Sequence, residues 1–381
     1  MPSRPLLSSL AWSSSRTSAA LTLASMGWML SGFSPSPWLN GLLPVLVTLT
    51  GLLPLPRRIR LGALLQLMAL LGLLVLAWLA RGPAGPPSPS LAIALTLVAG
   101  TIWAVGQACC LPGLRAALLQ KQDLQADLLR SGDDIGRLAG TLLTGFLFPM
   151  GRALLQFSVA FLLLLPQLPL PAARPSAARP ARGHAAVQAP DAATSVSPPP
   201  ATWSCHRGVL MQGLLFGALF ALLPLWVRRL EGGNCFDFGM VLSAYGAGRL
   251  LGPWLWGRFR GDGRRQRRHA RLQYASMALL LLVGQPLPGW VAVLLFVPFG
   301  LLASLSDQAL SAAVGEAQEA SSLERSAALG ALLGSLAMAV LSQLIGLGGA
   351  LPLQLIAFAL MAALLPGRPG PDAARPRSRT A

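Results

Sequence analysis

Apolar residues run together in this chain in stretches of similar length, separated by short polar breaks. A helix rises 1.5 Å per residue, so a run of about twenty apolar residues matches the hydrocarbon core of a bilayer. The pattern predicts twelve such helices, at roughly 8–33, 38–55, 61–80, 91–111, 133–149, 152–168, 208–228, 236–256, 272–287, 290–313, 326–347 and 350–366. Between the sixth and seventh lies "PLPAARPSAARPARGHAAVQAPDAATSVSPPPATWS", rich in Pro, Ala and Ser and without an apolar run. Such a segment cannot form a core and is expected to be a flexible tether. The expected organisation is an N-terminal six-helix half (1–168), a linker (169–206), a C-terminal six-helix half (207–367) and a basic tail (368–381). The fold class that follows is an all-α polytopic membrane protein of two six-helix bundles. The first helix shows no cleavage pattern and is expected to be retained.

Composition agrees with the pattern. The chain is 54% hydrophobic and 11% charged, yet carries a net charge of +17. Soluble domains are about 25% charged, so the basic residues must crowd into the loops. The densest run, "WGRFRGDGRRQRRHAR" (256–271), holds seven arginines. Between two apolar helices it reads as a loop that cannot cross the bilayer, not as a grip on nucleic acid. With the N-terminus inside, the outside loops hold only Arg81, Arg152, Arg228 and Arg229. That bias places both termini and the linker in the cytoplasm, with the protein in the cell (inner) membrane. Arg228, Arg229, Glu231 and Asp237 are expected to be solvated charges on the outer rim. The four cysteines show no metal-ligand spacing, and His184, His206 and His269 are expected in loops. No cofactor or metal is implied.

The halves echo each other. "PRRIRLGALLQLMALLGLLVLA" (56–77) and "GRRQRRHARLQYASMALLLLVG" (263–284) each run from a basic segment into the third helix of a half, with Gln66 and Gln273 at matching positions. Two such halves on a cytoplasmic tether are the layout of a repeat-built transporter.

Four stretches resemble the major facilitator superfamily, and within it the branch of enterobactin-type exporters and drug-efflux permeases. These are "SPWLNGLLPVLVTLTGLLPLPRRIR" (36–60), "LPGLRAALLQKQDLQADLL" (111–129), "DIGRLAGTLLTGFLF" (134–148) and "LLPLWVRRLEGGNCFDFGMVLSAYGAGRLLGPWLWGRFR" (222–260). The superfamily's loop motif places glycine, aspartate and arginines after the second helix of a half. Here the first copy is cut to Arg57, Arg58 and Arg60. The second keeps a loosened version in Gly257, Asp262, Arg264 and Arg265. By the resemblance these are gating-loop residues, and the eroded first copy weakens one latch.

Charges inside apolar helices cost a few kcal/mol or more in lipid, so they point to function. The candidates for the substrate or proton pathway are Arg16, Asp133, Asp134, Arg137, Arg249, Asp307 and Gln308. Asp133 and Arg137 stand four apart at the start of the fifth helix and can pair on one face. Arg249 sits midway along the eighth helix and needs a partner or a wet cavity; Asp307 in the tenth is one option. Arg16 is flanked by Ser13, Ser14, Ser15 and Thr17, a hydroxyl-rich face suited to a cavity or to the cytoplasmic surface. Gly132, Gly136 and Gly140, Gly248 and Gly252, and Gly330 and Gly334 are spaced by four and let neighbouring helices approach closely. Pro44, Pro54, Pro224, Pro253 and Pro298 fall within the spans and are expected to bend them.

The expected activity is secondary transport. A monomer in the lipid bilayer would carry a small amphipathic or hydrophobic molecule outward, in exchange for protons taken up on Asp307, Asp133 or Asp134. An acid held in low dielectric titrates nearer neutral pH than one in water. The alternative is a permease fold that has lost transport and serves as an interaction or sensing subunit. A membrane enzyme would need clustered His, Asp or Glu near the interface, and the sequence has none.

Overall fold

The computed structural model describes residues 4–79, 88–120, 126–164, 206–229, 233–259, 263–285, 287, 289–312 and 320–364. Among these every regular element is a helix. The first half comprises α1 (Arg4–Phe33), α2 (Pro37–Leu52), α3 (Ile59–Leu79), α4 (Pro89–Gln120), α5 (Ala126–Met150) and α6 (Arg152–Leu164). The second comprises α7 (Arg207–Ala221), α8 (Leu223–Arg229), α9 (Cys235–Phe259), α10 (Gly263–Gly284), α11 (Gly289–Ala312) and α12 (Ala320–Leu364). The pair α7 and α8 makes one crossing, broken at Leu222 ahead of Pro224, whose ring removes a donor and clashes with the preceding turn. In contrast, α12 makes two crossings, turning at Gly346. Its φ of 76° is a conformation open to glycine and strained for other residues. The result is two six-helix bundles, as the hydrophobic pattern predicts.

Each half has its own apolar core. Leu21, Met26, Leu73, Trp103 and Leu155 are buried in the first; Leu219, Tyr274, Phe299 and Phe358 in the second. The halves meet where α5 lies against α9 and α2 against α12. Among the described residues, five stretches are long and apolar enough to cross a membrane by length and composition: Ile59–Leu79, Pro89–Leu118, Arg207–Arg229, Gly289–Ser311 and Ser322–Leu364. Exposed Trp78, Phe157, Phe161, Trp290 and Leu344 cover the outer faces, a surface suited to lipid and too apolar for water. The helices that fall short of that composition include α1, α5 and α9, whose polar residues turn inward.

Several boundaries differ from the pattern. Helix α4 runs on to Gln120, and α5 begins at Ala126 rather than near 133. Leu114, Leu118 and Leu129 bury together with Trp12, and this small core holds both extensions in helix. Asp133 therefore sits about two turns into α5, not at its start. The arginine run is not a loop throughout: from Gly263 it forms the first turns of α10, and His269 is helical too. Arginine is a good helix former, and the turns beyond the apolar zone have water around them. Pro54 lies past the end of α2, where Leu53 takes the extended backbone favoured before proline. His206 caps α7, and its ring nitrogen pairs with Ser322 Oγ at 3.2 Å. The linker 169–206 short of His206, the tail 368–381, His184, Glu231 and Asp262 lie outside the described residues.

We refer to the end of the molecule holding the start of α1 and the ends of α9 and α11 as the near end. Phe33, Arg229 and Cys235 mark the far end.

Candidate functional site

Six charges converge between the halves toward the near end. Asp133 on α5 forms ion pairs with Arg16 of α1 and with Arg137 one turn on (2.8 Å). Arg249 on α9 reaches Asp307 of α11 at 2.7 Å and Asp134 of α5 at 3.8 Å. The second of these contacts joins the two halves. Three arginines face three aspartates, so the cluster is neutral in sum. This balance lets it sit among apolar helices, where an unpaired charge is costly.

Neutral side chains complete the network. Gln212 on α7 donates to Asp307 and to Ser306 Oγ (3.1 Å). Tyr274 on α10 donates to Gln212 Oε1 (3.1 Å), and Arg249 donates to the Tyr245 hydroxyl (3.3 Å). Sequence reasoning missed Gln212, Ser306 and both tyrosines. A signal was present: the chain holds only two tyrosines, and Tyr245 stands four residues before Arg249 on the same helix face. Gln308 does not join them. It is buried against α9, where its amide lies within 3.4 Å of Ser304 Oγ, and it does not line the cavity.

The charges border a central cavity with two adjoining chambers of about 630 and 530 Å³. Both chambers are lined by Pro44, Thr48, Arg137, Phe220, Tyr245 and Arg249, drawn from both halves. Volumes of this order suit drug-sized molecules. Most of the wall is aliphatic or aromatic, with Phe216 and Phe220 on one side and Leu23 and Leu43 on the other. The Arg137 side chain is 49% exposed, so the charged border of the cavity is open to solvent. The hydroxyls around Arg16 do not face this space: Ser14 bonds Leu162 O on α6, and Thr17 bonds Ser13 O within α1.

The two ends of the cavity differ. At the far end, Arg228 donates to Ser31 Oγ (2.7 Å) and Trp28 O (2.8 Å) of the other half, and its guanidinium lies 3.9 Å from the Trp28 ring centre. It is exposed, as expected of a rim charge, but it also ties the two halves together. Asp237 acts locally, exchanging hydrogen bonds with Asn234 to cap α9 (2.9 and 3.1 Å). Trp28 stacks on Phe238, Phe146 meets Phe236 edge to face, and Ser36 bonds Gln343. At the near end the cross-half contacts among the described residues include the Asp134–Arg249 pair, Leu138 against Gly246, and an exposed Arg115–Glu324 bridge at 3.1 Å. The halves are thus sealed at the far end and more loosely joined at the near end.

The glycines sort by partner. Gly132, Gly136 and Gly140 lie against α1, where a side chain would strike Ser13, Arg16 and Thr17. Gly248 and Gly252 lie against Val297 and Ser304 of α11, and Gly330 and Gly334 against Leu210 and Leu214 of α7. All seven pack within one half. Close approach between halves is made by other glycines: Gly145 opposite Gly239, and Gly41 opposite Ala339. Arg57, Arg58 and Arg60 are exposed and form no ion pair among the described residues; Gly257 lies in the last turn of α9, and Arg264 and Arg265 lie in the first turn of α10. No group of three His, Cys, Asp or Glu able to hold a metal occurs among the described residues.

No protein-family model matches the sequence, and no curated protein matches it significantly. Solved structures do match in shape. A bacterial metal transporter superposes with a TM-score of 0.67 at 13% identity, covering 96% of this chain and 98% of its own. The nucleoside transporter NupG, in a mutant form, gives 0.60 at 13% identity, with 94% and 96% covered. The human organic anion transporter MFSD10 (TETRAN) gives 0.54 at 17% identity, with 96% and 100% covered. At these identities the likeness establishes the fold, that of multi-pass membrane transporters of major facilitator type, and leaves the cargo open.

Proposed function

We propose that the chain is a secondary transporter that carries a small amphipathic or hydrophobic solute out of the cell by alternating access, coupled to protons. The N-terminal half (1–168) and C-terminal half (207–367) would rock about their shared boundary, tethered by 169–206. The arginine distribution assigns the near end to the cytoplasm, so the arrangement described is an inward-open state ready to load from inside. The apolar walls suit the body of an amphipathic solute, and the charged border suits a polar group.

One observation carries the coupling: Arg249 stands between Asp307 of its own half and Asp134 of the other. With Asp307 ionised, Arg249 is held within the C-terminal half. A proton on Asp307 removes that attraction, while the neutral acid still accepts from Gln212. Arg249 is then free to turn to Asp134, so the proton on Asp307 governs how the two halves are joined at the near end. Loss of the proton reverses the exchange. Asp133 is engaged by two arginines and serves as the fixed anchor of the cluster. No ATP-binding phosphate loop is present in the sequence, so the ion gradient would be the energy source.

The test is proton flux into proteoliposomes under an imposed pH gradient, across a panel of amphipathic solutes. Flux that depends on solute in the parent protein is expected. Asp307→Asn should abolish solute-driven proton movement while leaving solute counterflow. Solute-dependent proton flux that persists in Asp307→Asn would reject the coupling role. A second reading, a permease fold without transport, is favoured by the shortened segment after α2, whose Arg57, Arg58 and Arg60 make no ion pair among the described residues. A correctly folded protein inert to the whole panel would support it.

A further inference from the structure

A separate cavity of about 370 Å³ lies inside the C-terminal half at its far end. Its walls come from α7, α8, α9, α10, α11 and the second arm of α12, and its depth is apolar, with Leu219, Val241, Phe296 and Phe299. The polar groups gather where helices end. Arg229 is the last residue of α8, Gln285 follows the end of α10, and Gly348 follows the turn at Gly346. Arg228 is spent on α1, but its neighbour Arg229 has no ion-pair or hydrogen-bond partner among the described residues. Trp226 also lines the cavity and is only 9% exposed.

An apolar well with a cation at its mouth complements a molecule with a hydrocarbon body and an anionic head. The volume is near the lower end of the range for small-molecule sites, about 300–1,000 Å³, so it suits one chain rather than two. We infer that this cavity is a second ligand site, distinct from the central one, for a single-chain carboxylate amphiphile of the fatty-acid type. The chain would enter toward Phe299, with the carboxylate at Arg229. This orientation matches that of an amphiphile at a membrane surface, head at the water and chain in the apolar zone. Phe299 forms the partition from the central cavity. Its ring centre lies 6.0 Å from Phe216 and 6.2 Å from Tyr245, which line that space.

The experiment is saturation binding of radiolabelled palmitate to the full-length protein in neutral-detergent micelles, read by scintillation proximity. Saturable binding of one palmitate per chain is expected. Arg229→Gln should weaken it at least tenfold, and Ala292→Phe, which fills the well, should abolish it. Hexadecanol, of equal chain length without the charge, should fail to compete at equal concentration. Arg137→Gln, in the central cavity, should leave binding unchanged. The inference is overturned by uptake that does not saturate, by unaltered affinity in Arg229→Gln, or by hexadecanol competing as well as palmitate. It is also overturned by loss of binding in Arg137→Gln, which moves palmitate to the central cavity. Full displacement by equimolar phosphatidylglycerol overturns it too, since the occupant is then a two-chain lipid. If Ala292→Phe fails to fold, Arg229→Gln and the alcohol comparison still decide.

Discussion

Arg249→Met removes the one cation that both Asp134 and Asp307 face. Charges about 4 Å apart attract by about 4 kcal/mol at an effective dielectric near 20. The Asp307 side chain is 31% exposed, so water takes up part of the loss and about 3 kcal/mol remains, at the low end for orphaning a buried charge. Asp307→Asn should cost only about 1 kcal/mol, because Arg249 keeps Asp134 and Tyr245 and the amide still accepts from Gln212. With Arg249 gone, a neutral residue at 307 relieves one orphaned carboxylate. The double variant should then lose about 2 kcal/mol rather than the sum of about 4, a coupling of about 2 kcal/mol. The measurement is unfolding by SDS titration in mixed micelles, followed by circular dichroism for the parent, both single variants and the double. Losses that add to within about 0.5 kcal/mol would mean that the two side chains do not pair in the folded protein. The exchange of Arg249 between halves would then lose its basis.

Other perturbations test other parts of the structure. Gly140→Leu should destabilise by about 3 kcal/mol, read as a lowered thermal midpoint in detergent, because the new side chain meets the α1 backbone at Thr17. Gly72→Ala, which meets nothing within 4 Å, should instead gain about 0.5–1 kcal/mol from helix propensity. Arg228→Ala should release the far-end latch, worth about 1.5 kcal/mol from the ring contact and hydrogen bonds. With the other cysteines replaced, the buried Cys235 should then react with maleimide roughly tenfold faster; an unchanged rate would show that Arg228 holds nothing shut. Arg271→Cys should be labelled by an impermeant reagent only after cells are opened, and Gln285→Cys in intact cells. The reverse pattern would invert the proposed orientation.

The hydrophobic pattern alone carries the class of this protein, its twelve crossings and the division into two sets of six. Those features rest on the length of apolar runs and the position of arginines, and both are properties of the chain read in order. Segment ends were less legible. The extension of α4 and the early start of α5 depend on contacts of Leu114, Leu118 and Leu129 with Trp12, which lie far apart in sequence. The charges of the site could be picked out singly, because each is conspicuous in an apolar helix. Their pairing could not: hydropathy does not say which face of a helix turns inward, and Arg249 finds Asp134 more than a hundred residues away on another element. Gln212, Tyr274, the Arg228–Trp28 latch and the second cavity were invisible for the same reason. Glutamine, tyrosine and glycine are ordinary residues until packing sets a partner opposite them. Linear order is enough to decide that the helices cross a membrane, but contacts at the site are fixed by how their faces rotate and pack in three dimensions.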